Sequence, residues 1–229
     1  MALGAWAGRP RSQVILRFSD LKETPMRTSV WLVRHGQTYA NRERRYQSHS
    51  DSPLTGYGQR QVAALAARLR TIPFGLIITS PRERTRLAAE AIMQGRQSVI
   101  LREDAAWAEV DHGCWEGLTY AEVCAQYPAE VRARWAASIN GKAEGGESLV
   151  EANTRIRAAW HALLREHSGG RILIASHATP IQLILCASLG LPPQDHWHWR
   201  IDLGSLTCLD VYPTGAIIRM VNEVPRPSK

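Results

Sequence analysis

Apolar and polar positions along this chain follow two periods. Short apolar runs rich in β-branched residues recur at "VWLVR" (30–34), "GLIITS" (75–80), "SVILR" (98–102) and "GGRILIAS" (169–176), and each predicts a strand, the first two of them buried. Helical stripes lie between them. "SPLTGYGQRQVAALAARLRTI" places Val62, Leu65, Ala66 and Leu69 on one face, with Thr55 positioned as its N-cap. "PRERTRLAAEAIMQ" predicts a second helix with Pro81 at its first position. "SLVEANTRIRAAWHALLREH" predicts an amphipathic helix capped by Ser148, and "HATPIQLILCASLGL" an apolar one. "SLTCLDVY" and "AIIRMVNE" predict a closing hairpin. A polar loop is expected up to about residue 52, and a long excursion with short helices from Ala105 to about Gly146. Strands and helices alternating in this way predict an α/β fold, a mostly parallel sheet covered by helices.

Composition narrows the class. The 229 residues suffice for one domain with a substantial core. Residues 26–229 read as that domain, and residues 1–25 as an extension expected to be disordered. Lys and Arg outnumber Asp and Glu by 28 to 21, a net charge of +7. Such a surplus suits nucleic acid or a pocket for small anions. The basic residues are scattered, "RERR" at 42–45 being the one tight cluster, so no nucleic-acid partner is expected. Cys114, Cys124, Cys186 and Cys208 show no C-x-x-C pair and no metal-ligand spacing. A reducing cytoplasm is the simplest home for them. No apolar run approaches the length of a membrane span, and the first residues lack the continuous apolar segment of a secretory signal. The expectation is a cytoplasmic protein with no membrane partner; oligomeric state leaves no mark on the sequence.

Two strand ends are alike. "LVRHG" and "LIASHA" each deliver a histidine at the carboxyl end of an apolar strand, and "LIITSPRER" delivers arginines just past another. In open α/β sheets that edge is where ligands bind. Convergence of Arg34, His35, Arg84 and His177 there would make a strongly cationic pocket suited to phosphate, whose geometry matches the guanidinium fork. "HWHW" at 196–199 offers alternate histidines on a strand face as half of a zinc site, but no third ligand stands at a telling spacing.

With those residues in view, the chain resembles the histidine phosphatase superfamily, in its phosphoglycerate-mutase-like branch, from about Ser29 to Glu223. "RHGQT" matches R-H-G-x-T, "NRERRYQ" matches N-x-x-x-R-Y-Q, and "SPLTGYGQRQ" matches P-L-T-x-x-G-x-x-Q. "SPRERTRLAAE" matches S-x-x-x-R before a small-residue helix, "EVDHGCWEG" matches E-x-x-x-G-x-W-E-G, and "GGES" and "SHATPI" complete the series in the family's order. The resemblance implies a three-layer α/β/α sandwich. It also implies a phosphomonoesterase that needs no metal or cofactor and acts on a small phosphorylated metabolite through a phosphohistidine.

The residues carry that chemistry on their own terms. His35 fits a nucleophile, because neutral imidazole attacks phosphorus near pH 7 once its other nitrogen is tied down. Arg34, Arg84 and a protonated His177 would hold the oxygens where charge accumulates. Glu109 is the family-matched acid for the leaving alcohol, with Asp111 and Glu116 as rivals; Glu116, Gly117 and Trp115 read better as loop-fixing residues. Asn41, Gln47, Thr38 and Ala178 are the expected substrate contacts. Three departures from the family pattern stand out: Ser48 replaces a usual Gly, His112 a usual aromatic, and Ala178 the commonest Gly. Ser48 and His112 are expected to flank the pocket mouth. Mutases of the superfamily resemble R-H-G-E-S followed by W-N, with a longer insertion after the acid, so "RHGQT" and "GCWEGLT" favour hydrolysis. A mutase-type isomerase and a catalytically silent phosphate-binding module are the alternatives, the intact set of five chemical residues arguing against the second.

Overall fold

A computed structural model describes residues 26–135 and 139–227. The extension expected to be disordered, residues 1–25, lies outside the described residues. Each expected strand forms: β1 (Thr28–Arg34), β2 (Leu76–Thr79), β3 (Ile100–Glu103), β4 (Arg171–Ser176) and the hairpin β5 (Leu206–Tyr212) and β6 (Gly215–Glu223). They join in one six-stranded sheet in the order β3-β2-β4-β1-β5-β6. The first four are parallel, and β5 and β6 run antiparallel to their neighbours.

The period of two along each strand sorts the core into two sides. Val30, Leu32, Ile78, Ile172 and Ile174 pack with Ile156, Trp160 and Leu163 of α6 (Leu149–Glu166) and Ile181 and Ile184 of α7 (Ala178–Leu189). Trp31, Val33, Ile77, Leu173 and Ala175 pack with Leu65 and Leu69 of α2 (Gly56–Leu69) and Ala89 and Ile92 of α3 (Glu83–Met93). The result is the three-layer sandwich. Helices on both faces bury the central strands β1, β2 and β4, which is why these read as unbroken apolar runs, whereas the edge strands β3 and β6 keep exposed positions.

Helix starts follow the cap chemistry. The Thr55 hydroxyl accepts from the Gly58 amide at 3.0 Å, and Ser148 forms a reciprocal box with Glu151. Three details differ from the sequence reading. α3 opens at Glu83 behind Arg82, so Pro81 precedes the helix rather than starting it; the extended backbone there carries Arg82 over the sheet edge, where its guanidinium bonds the His49 carbonyl. The polar loop holds a turn of helix, α1 (Tyr39–Arg42), closed by reciprocal bonds between Thr38 and Asn41. Residues Pro193–His198 form a 3-10 helix rather than a strand, with a proline presetting its first turn. His196 and His198 turn their Nδ1 atoms to the Pro193 and Asp195 carbonyls, both at 3.1 Å, so they share no strand face.

The excursion builds 3-10 turns at Ala105–Trp107 and Gly113–Trp115, then α4 (Tyr120–Gln126) and α5 (Pro128–Trp135). Trp115, Val123, Val131 and Ala143 give it a small core of its own. All four cysteines are free. Among the described residues, no three His, Cys, Asp or Glu cluster to hold a metal ion, and no helix is long and apolar enough to cross a membrane.

Candidate active site

β1 and β4 are neighbours in register Arg34↔Ser176. The residues one step beyond, His35 and His177, therefore leave the sheet side by side, their rings edge to face with centroids 5.2 Å apart. Both are buried. β2 delivers Ser80 next to them, its amide bonded to the Ala175 carbonyl at 3.2 Å. Gly36 allows the turn after His35 to press against α2, since a β-carbon there would strike the Gly58 carbonyl. Gln61 locks the same loop by accepting from the Gln37 amide (2.9 Å) and donating to the Leu203 carbonyl (2.7 Å).

Hydrogen-bond accounting fixes both imidazoles. His35 Nδ1 lies 2.8 Å from the Gly36 carbonyl, so it carries the proton and Nε2 keeps its lone pair. Thr85 directs its single hydroxyl proton to the carbonyls of Arg82 (2.8 Å) and Ser80 (3.0 Å). It must therefore accept from Ser80 Oγ at 2.9 Å, and Ser80 in turn accepts from His177 Nε2–H at 2.7 Å. His177 Nδ1 is left buried without a hydrogen-bond partner among the described residues. Burial above all, then Arg84 and Arg34, holds His35 well below the ordinary imidazole pKa. Burial, Arg84 and the neighbouring His35 do the same to His177. Both rings are thus neutral near pH 7 before any anion arrives. The protonated His177 of the sequence reading therefore needs a bound anion beside it to offset its burial among cations.

Arg34 and Arg84 are the principal charges acting on both rings. Arg34 donates through Nη1 to the Ile201 carbonyl at 2.6 Å. Arg84 is only 1% exposed and donates to the carbonyls of Ser48 (2.7 Å) and Ser50 (3.0 Å). Burial brings its pKa down to about 10, which leaves it charged at neutrality. The Nε atoms of Arg34, Arg82 and Arg84 are buried with no hydrogen-bond partner among the described residues. Glu116 holds the loop that orients Arg84: its carboxylate accepts from the amides and the hydroxyls of both Ser48 and Ser50. Half-burial would raise the pKa of Glu116, but those donors more than offset it and hold the group below the ordinary carboxylate value.

Glu109 is 8% exposed and accepts from its neighbour's amide, Val110 N, at 3.0 Å. Arg34 and Arg84 both lie within electrostatic reach of the Glu109 carboxyl group. Its segment is tied from outside. Ser176 Oγ donates to the Trp107 carbonyl (2.6 Å), and Arg155 donates to the carbonyls of Ala106 (2.9 Å) and Ala108 (3.2 Å) while gripping Glu147 at 2.5 Å. The rival Asp111 pairs with His49 at 3.2 Å.

The expected substrate contacts fall into two groups. Asn41 lines a cavity beside Arg34, its Oδ1 used in the cap and its amide nitrogen left as the donor. Ala178 opens α7, where free amides at a helix start favour anions. Thr38 and Gln47 are buried and bonded to one another at 2.8 Å, so they shape the loop from behind. Ser48 is fully buried in the Glu116 clamp, with the His112 amide on its hydroxyl, instead of flanking the mouth. Arg155 and Glu147 were missed from sequence. A surface-like arginine on an amphipathic helix and a glutamate just before its cap carry no signal that they hold a catalytic segment.

Comparison with known proteins agrees with this geometry. The histidine phosphatase superfamily (branch 1) matches residues 30–224, and the chain belongs to that family. Phosphoserine phosphatase 1 of Hydrogenobacter thermophilus is 30% identical over 192 residues, which is 83% of this chain and 90% of that one. A probable phosphoglycerate mutase of Klebsiella pneumoniae is 34% identical over 181 residues, 79% of this chain and 84% of that one. The crystal structure of the α-ribazole phosphatase from Shigella flexneri superposes with a TM-score of 0.80 at 27% identity, covering 88% of this chain and 99% of the other. The chain spans about half the length, 54%, of the mycobacterial proteins it matches at 33% identity.

Proposed function

We propose that this chain hydrolyses a small phosphorylated metabolite through a phosphohistidine at His35. One observation carries the reading: a buried neutral His35 has Nδ1 committed to Gly36 and Nε2 free, beside the buried Arg84 and the half-buried Arg34. His35 Nε2 attacks phosphorus as the ester P–O bond breaks, and Glu109 gives its proton to the leaving oxygen. Water then attacks the phosphohistidine, its proton passing to Glu109 as the P–N bond breaks and inorganic phosphate forms. Arg34 and Arg84 stabilise the charge on the phosphoryl oxygens, and Asn41 adds a neutral donor. His177 takes up a proton at Nδ1 as the anion binds and becomes the third cation.

The phosphatases among its relatives support hydrolysis, and the mutase relative makes the fate of the phosphoryl group the deciding measurement. The chain is given radiolabelled phosphate esters, including sugar phosphates, nucleotides, phosphoglycerates and ribazole-type esters, and quenched in acid or alkali. Inorganic phosphate should be released, and an acid-labile, alkali-stable label should sit on the peptide holding His35. Label returned to the same carbon skeleton without phosphate release would make the chain an isomerase. An acid-stable label would refute the phosphohistidine.

A further inference from the structure

The loop after His35 carries an arginine where its backbone asks for glycine. α1 ends in two paired bonds, Arg44 N to the Asn41 carbonyl (3.1 Å) and Arg45 N to the Ala40 carbonyl (2.9 Å). This is the helix ending whose pivot residue is left-handed and usually Gly or Asn. Here the pivot is Arg44, at φ 58°, where a β-carbon is strained. No contact within the described residues explains the choice. Arg42 lies over the Tyr39 ring at 4.6 Å, and Arg45 pairs with Glu43 (3.0 Å) and Glu122 (3.1 Å). The exposed Arg44 guanidinium has neither hydrogen bond nor ion pair among the described residues.

What Arg44 does face is a cavity of about 320 Å³, shared with Arg34, Asn41, Arg45, Tyr46 and Tyr120 and walled by no carboxylate. Arg34 belongs to the phosphoryl grip and Asn41 is the proposed neutral donor, so this cavity shares two residues with the proposed reaction centre. The opposite flank differs. There a cavity of about 470 Å³ includes His49, Lys142 and Arg155, answered by Asp111 at 3.2 Å, Glu151 at 2.8 Å and Glu147 at 2.5 Å, and Arg82, whose guanidinium is engaged by the His49 carbonyl.

We infer that Arg44 is a specificity residue, receiving a second, singly charged anionic group on a substrate whose phosphoryl group sits at Arg34 and His35. The inference rests on the phosphoryl site proposed above. Arg44 supplies one unanswered unit of charge in a fork that suits a carboxylate. An arginine kept at a strained backbone position is explained by what its side chain meets in the cavity.

Non-hydrolysable ligands test this without turnover. Calorimetric affinities are measured for 2-carboxyethylphosphonate, 3-carboxypropylphosphonate and their primary amides, which keep the phosphonate and shape but lose one charge. The unaltered chain should bind at least one acid about five- to tenfold more tightly than its amide, the scale of one partly walled ion pair. Arg44→Gly and Arg44→Asn should bring that ratio to within about twofold, keep the amide affinity, and melt no lower, because both residues accept left-handed backbone. Arg60→Ala removes the same charge from α2 and should keep the preference. Equal binding of acid and amide by the unaltered chain overturns the inference. So does a preference that survives either Arg44 substitution, one that Arg60→Ala also abolishes, or a lowered melting temperature in both Arg44 variants. Phosphate release from p-nitrophenyl phosphate is assayed in parallel; its absence refutes the hydrolase reading while the affinities still decide Arg44.

Discussion

The two sides of the active site are held by different means. His35, His177 and Ser80 each stand one residue past a strand of the same sheet, so register alone sets their spacing. Glu109 follows a 3-10 turn in the long excursion; Trp107 and Val110 beside it pack into the main core, and polar ties set its backbone: Ser176 to Trp107 and Arg155 to Ala106 and Ala108. A sheet edge buried on both sides moves only if the core moves. An arm anchored by two core side chains and aimed by a few hydrogen bonds shifts at Glu109 when one of those bonds is cut. Substitutions in the strand-end cradle should therefore remove chemistry with geometry intact, whereas substitutions that free the arm should act through the position of Glu109.

The largest effect belongs to the cradle. His35→Ala should lower phosphate release by at least about 10⁴-fold, because a covalent nucleophile has no substitute. Retention of more than about a hundredth of the rate would move the nucleophile elsewhere. Next comes the arm itself. Glu109→Gln should lose on the order of 10²- to 10⁴-fold on alkyl esters, the usual range for general acid–base catalysis. The burst phase with a nitrophenyl ester should suffer much less, since nitrophenolate leaves without a proton. If Asp111→Asn or Glu116→Gln shows that leaving-group dependence and Glu109→Gln does not, the acid is misassigned.

Arg155 distinguishes a tethered arm from a self-supporting one. Arg155→Met keeps the aliphatic stem and removes the bonds to Ala106, Ala108 and Glu147. Turnover of alkyl esters should fall by about tenfold, the cost of a modest misplacement of one catalytic group. The nitrophenyl burst should stay close to its original size. Equal losses on both esters would mean that Arg155 supports the whole site rather than the acid.

The same division explains what the sequence made legible. The cradle is written locally: an apolar run, then a histidine, then a glycine or a helix start. A motif of a few residues plus the rule for parallel sheets is enough to bring His35 and His177 together. The arm is written at long range. Ser48 departs from the family's glycine and looks like a mouth residue, yet it is buried because a carboxylate far along the chain, Glu116, accepts its hydroxyl and amide. No local spacing predicts that pairing. The Pro193–His198 turn was misread for a related reason: alternating His and Trp mimics strand periodicity, while the preceding proline's preference for a helical first turn prevailed. The charge on His177 depends on how many cations converge on it, which only the assembled fold reveals.

The smallest effect is on stability, and it too separates cradle from arm. His35 and His177 are neutral in the fold, with pKa values well below 6.5, but they regain ordinary values when the chain unfolds. Below pH 6.5 the unfolded chain therefore binds more protons than the folded one, so stability is full above that pH and declines as the pH falls. Between pH 6.5 and 5.5 each histidine should cost about 1 kcal/mol, or about 2 kcal/mol together. The carboxylate Glu116, whose pKa is lowered, loses its stabilising charge only at more acidic pH, outside this window. Urea unfolding at the two pH values measures the difference directly. His35→Asn and His177→Asn should each remove about half of it, and Glu109→Gln should leave it unchanged. Saturating phosphate should also shrink it, because His177 then holds a proton in the folded state. A pH dependence indifferent to both histidine substitutions would mean that the cradle does not keep its imidazoles neutral.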